Sequence, residues 1–76
     1  MREKVDQLVL LRLYSLEEEA ERFLDQGKLS EEQVTTFTII IERLKIDYDH
    51  AGTKEQKKDI VKQARRAWIN LVRDMP

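Results

Sequence analysis

The sequence predicts an all-α fold, a three-helix bundle running up, down and up within one domain. Three observations carry that reading. Apolar residues recur at intervals of three and four through three long segments. Gly27 and Gly52 each close one such segment. A helix-start signature stands just beyond each glycine. Short connections between long helices favour antiparallel neighbours.

The first helix is expected over roughly Arg2–Gln26, with an inner stripe of Val5, Val9, Leu13, Leu16, Ala20, Phe23 and Leu24. Ser15 and Glu18 could make a capping box and break it there. The stripe crosses Ser15 without a change of phase, so one continuous helix is preferred. Gly27 then suits the left-handed position that ends a helix. Ser30-Glu31-Glu32-Gln33 is a capping box, with Leu29 and Val34 placed to staple the entry. The second helix follows over Glu31–Ala51 with Val34, Phe37, Ile41, Leu44, Tyr48 and Ala51 inward. Its β-branched run, Thr35 to Ile41, has strand propensity. It lies inside a capped segment too long for an ordinary strand, and helix wins. Gly52 is expected to repeat the left-handed stop, and Thr53-Lys54-Glu55-Gln56 to repeat the box. The third helix, Lys54–Asp74, turns Ile60, Val61, Ala64, Ala67, Trp68, Leu71, Val72 and Met75 inward. Each helix would be about 30–37 Å long at 1.5 Å per residue.

The chain has 76 residues, 38% charged and 41% hydrophobic, with Pro76 its single proline. Apolar burial at about 25 cal/mol per Å² and ordering entropy of roughly 1.5 kcal/mol per residue nearly cancel at this size. Small domains add a disulfide, a metal or a partner chain. Without cysteine there is no disulfide and no thiolate metal site. Association with a second copy is the remaining aid, and a cytoplasmic location is the expectation. Met1-Arg2-Glu3-Lys4 precedes an apolar stretch, but Asp6 and Arg12 interrupt it and no small-residue cleavage site follows. The run from Leu8 to Leu16 is too short to span a bilayer.

No enzyme is expected, and no cofactor. The sole histidine, His50, lies near Asp47 and Asp49, a set of types that can ligate zinc. A histidine in the last helical turn is equally accounted for by the helix dipole, which is the preferred reading. Ser30 has a capping role, Ser15 lies in no nucleophile motif, and no glycine-rich phosphate loop is present. Glu17-Glu18-Glu19 and Glu31-Glu32 read as solvated helix faces.

Charge is uneven along the chain. Residues 1–29 carry −2, residues 30–52 carry −3 and residues 53–76 carry +4. Lys58, Lys62, Arg65, Arg66 and Arg73 fall opposite the inner stripe of the third helix, forming a basic outer face. That face is either an electrostatic footprint for nucleic acid or the complement of an acidic helix, for which Glu18, Glu21 and Asp25 are candidates.

Some apolar residues do not fit a lone bundle. Leu10, Leu11 and Tyr14 project away from the stripe of the first helix, with Leu8 beside them, and Ile39 and Ile46 point away from the core of the second. Ile69 lies within the basic face of the third. A group of large exposed apolar residues marks an interaction site. The competing account is a wide core around a central first helix. An acidic helix followed by Lys28-Leu29-Ser30-Glu31-Glu32-Gln33 and then Phe37 resembles the small Hha/YmoA-type helical regulators. The resemblance spans less than half the chain, and no residue role is carried over from it. The expectation is a small helical protein-interaction or regulatory module, a homodimer formed through Leu10, Leu11 and Tyr14, with Ile39 and Ile46 as further contact residues. The alternative is a nucleic-acid-binding regulator using the third helix.

Overall fold

The computed structural model describes the backbone of residues 2–73 and the side chains of residues 8–73. Three helices account for it: α1 (Arg2–Asp25), α2 (Glu31–His50) and α3 (Lys54–Arg73). The helices of 24, 20 and 20 residues lie along the 39 Å axis of a body 17 Å across. Short joints reverse the direction twice, giving the up-down-up bundle that the sequence predicts. The ends of α1 and α2 differ from expectation by one residue, because Gln26 and Ala51 are caps. Asp74 and Met75 lie outside the described residues, as does the side chain of Val5. Helix α1 passes through Ser15 unbroken.

The α1–α2 joint is a Schellman motif. Gly27 takes φ +75°, its N–H donates to the Leu24 carbonyl at 3.0 Å, and the Lys28 N–H donates to the Phe23 carbonyl at 2.9 Å. These bonds satisfy two carbonyls that a helix end leaves open. Ser30 then opens α2 with its box complete: its Oγ accepts from the Gln33 N–H at 3.2 Å, and the Gln33 Oε1 accepts from the Ser30 N–H at 2.9 Å. Leu29 and Val34, on either side of the cap, are both buried.

The α2–α3 joint corrects one expectation. Gly52 does not adopt a left-handed conformation. Helix α2 instead exits through Ala51 in an extended conformation, φ −74° and ψ 121°. The Gly52 N–H is taken up from the next helix, donating to the Gln56 Oε1 at 2.7 Å. That oxygen also accepts from the Thr53 N–H at 3.2 Å, while the Thr53 Oγ1 accepts from the Gln56 N–H at 3.1 Å. One glutamine thus caps α3 and secures the loop before it. A left-handed stop becomes unnecessary.

The core runs the length of the bundle. Val9, Leu13 and Ala20 of α1 meet Val34, Phe37, Ile41, Leu44 and Tyr48 of α2 and Ile60 and Ala64 of α3, all buried. Ala20 and Ala64, with no exposed surface, let the helices approach closely. Trp68 joins all three helices. Its ring stacks on Phe23 of α1 at 5.6 Å between centroids and meets Phe37 of α2 edge-on at 5.7 Å. Its remaining edge reaches the surface, so it is half-buried.

Candidate interaction surfaces

Leu10 is a correction. It is half-buried and packs against the core, so it does not stand on an outward ridge with Tyr14. The stripe of α1 is wider than its own periodicity indicates because α1 packs against both α2 and α3. Leu10 stands on the edge of this wider arc, partly against the core and partly exposed.

Leu8 and Leu11 behave oppositely, 63% and 60% exposed. One turn apart on α1, they border a shallow groove between α1 and α3, whose other walls include Ser15, Leu16 and the free edge of Trp68. The groove narrows to a recess of about 260 Å³ floored by Leu16, Val61 and Trp68, with Arg12 and Arg65 at its sides. Neither arginine forms an ion pair among the described residues. The periodicity of α1 alone cannot reveal this groove, since half of it belongs to α3.

Tyr14 is 52% exposed and lies on the α2 side of α1. The Lys45 ammonium sits 4.1 Å from its ring centroid, a cation–π contact. Lys45 also bridges to Glu17 of α1 and, at 3.1 Å, to Glu42 of its own helix. Burial disfavours the charged form of Lys45, but its hydrogen bonds to Glu17 and Glu42 outweigh this and raise its pKa. Glu42 is lowered, mainly by its hydrogen bond to Lys45. The clamp fixes α1 against α2 and occupies one face of Tyr14 within its own chain. Sequence reasoning missed it, because a contact between helices has no signature along either one.

Ile39 and Ile46 are exposed on α2, at 64% and 59%. They do not join the Leu8–Leu11 groove, which lies between α1 and α3. On α3, Lys58, Lys62, Arg65, Arg66 and Arg73 are all exposed, with Ile69 among them at 51%. None forms an ion pair among the described residues, so no acidic residue of α1 is shown to neutralise that face. Toward the start of α3, Lys54, Lys58 and Lys62 rim a small apolar hollow over Val9 and Val61.

Asp47, Asp49 and His50 are exposed. Among the described residues no three His, Asp or Glu side chains converge to hold a metal ion, and no helix is long and apolar enough to cross a membrane. Comparison with family models, curated proteins and solved structures finds no match to any of them.

Proposed function

We propose that this chain is a small protein-interaction module that associates with a second copy of itself through the exposed apolar face of α1. The observation that carries the reading is the pair Leu8 and Leu11, both more than half exposed and one turn apart, beside the uncovered edge of Trp68. Scattered exposed leucines are ordinary, whereas these two border one groove with Leu16 and Trp68, among the polar side chains of Arg12, Ser15 and Glu19. The lack of cysteine suits a reducing compartment, and the module is read as cytoplasmic.

Sedimentation equilibrium over a concentration series tests this. A mass rising from one chain to two through the micromolar range is the expected result. A single-chain mass persisting to high micromolar concentration would overturn it.

One observation favours a second reading. Five exposed cations on α3 lack ion-pair partners among the described residues, which suits a nucleic-acid backbone. A nucleic-acid-binding module of this kind would bind duplex DNA with a steep salt dependence, log affinity falling by about 0.9 per phosphate contacted for every tenfold rise in salt. Replacing Lys62, Arg65 and Arg66 with glutamine would flatten that slope and leave the helical content unchanged. A wild type that shifts neither duplex nor single strand at low salt excludes this reading.

A further inference from the structure

The α1–α3 groove has a self-complementary partner within the chain's own sequence. Its floor is apolar, formed by Leu16, Val61 and Trp68, and its two flanking cations, Arg12 and Arg65, lack ion-pair partners among the described residues. A fitting ligand is therefore a helix with an exposed leucine and, two turns further along the same edge, a carboxylate. Helix α1 has these features. At 100° per residue, Leu8, Leu11, Ser15 and Glu18 lie along one edge of it. Leu8, Leu11, Ser15 and Glu18 are all exposed, and Glu18 forms no ion pair among the described residues.

We infer that the groove seats α1 of the second copy, antiparallel, with Ser15 on the two-fold axis. Direction and register follow from level matching. With Ser15 opposite Ser15, Glu18 of one copy comes level with Arg12 of the other, beside Arg65. Leu11 of one copy comes level with Glu19 of the other, near Leu16, and Leu8 comes level with Arg22, just past the groove. The two-fold repeats every contact, so each groove is filled by the edge that forms the opposing groove. A parallel pairing would instead place Glu18 against Glu18 and leave both arginines unmatched. The small Ser15 side chain at the crossing lets the backbones approach.

This seat rests on the self-association proposed above, and the test separates the two. Ser15→Cys introduces the sole thiol of the chain. A residue on the two-fold axis meets its own copy within the 4.4–6.8 Å Cα separation that a disulfide spans. Oxidation of S15C should yield a covalent dimer, while Ile39→Cys, on the exposed face of α2, should remain a single chain. Trp68, the only tryptophan, should shift its emission to the blue as concentration drives association. Replacing Arg12 and Arg65 together with glutamate should weaken the dimer about tenfold or more, and adding Glu18→Arg should restore it. A dimer by sedimentation in which S15C stays unlinked, I39C links instead, Trp68 emission does not move or the charge reversal has no effect overturns the seat and leaves self-association standing. A single-chain mass at every concentration overturns both.

Discussion

Trp68→Ala should lower stability by about 3 kcal/mol, most of what a domain of this size possesses. The indole makes ring contacts to both other helices, at 5.6 Å to Phe23 and 5.7 Å to Phe37. Aromatic pairs of this geometry contribute about 0.5–1.5 kcal/mol each beyond the area they bury. Truncation also leaves a cavity where the three helices meet, which the flanking rings cannot fill without moving. The exposed edge of Trp68 keeps the cost at the lower end of the range for large-to-alanine changes. Thermal unfolding should show the midpoint falling by roughly 15–20 °C. A variant melting within a few degrees of the parent would mean that the Phe23 and Phe37 contacts contribute little.

The second large effect is on assembly. Changing Leu8 and Leu11 together to glutamate should abolish the dimer, raising its dissociation constant at least a hundredfold, and leave a folded monomer. Both positions are more than half exposed in the single chain, and glutamate is as good a helix former as leucine. The fold therefore loses little, while the interface loses both apolar side chains and, in the seat inferred above, sets the new carboxylate at position 11 against Glu19 of the other copy. Circular dichroism and sedimentation on the same sample separate these effects. An unfolded variant would show that the two leucines belong to the core. A folded variant that still dimerises would move the interface away from this edge of α1. The matching double substitution of Ile39 and Ile46 should leave a dimer formed through α1 intact.

What could be read from the sequence divides along physical lines. Capping and core stripes are local, set by side chains three or four residues apart. The boxes at Ser30 and Thr53, the left-handed Gly27 and the burial of Leu13, Phe37, Ile41 and Ile60 are accordingly visible in the order of residues. Leu10 was not, because the width of a helix's buried arc depends on how many neighbours it has. Gly52 was not, because a glutamine four residues further on removes the need for the conformation glycine permits. The Lys45 clamp on Glu17 and Tyr14, and the meeting of Leu11 with Trp68, join residues more than twenty-five positions apart, a separation that periodicity does not address.

The odd number of helices settles where the chain enters and leaves. Most domains bring their two ends close together, which is why they tolerate insertion into loops of other proteins. Here α1 starts at one end of the 39 Å axis and α3 finishes at the other. A segment joined before α1 and one joined after α3 would leave from opposite ends of the bundle. Tension applied through those ends runs parallel to the helices. It tries to slide α1 past α3 and works against their packed flanks all at once, instead of peeling one contact after another as it would from two ends on the same side.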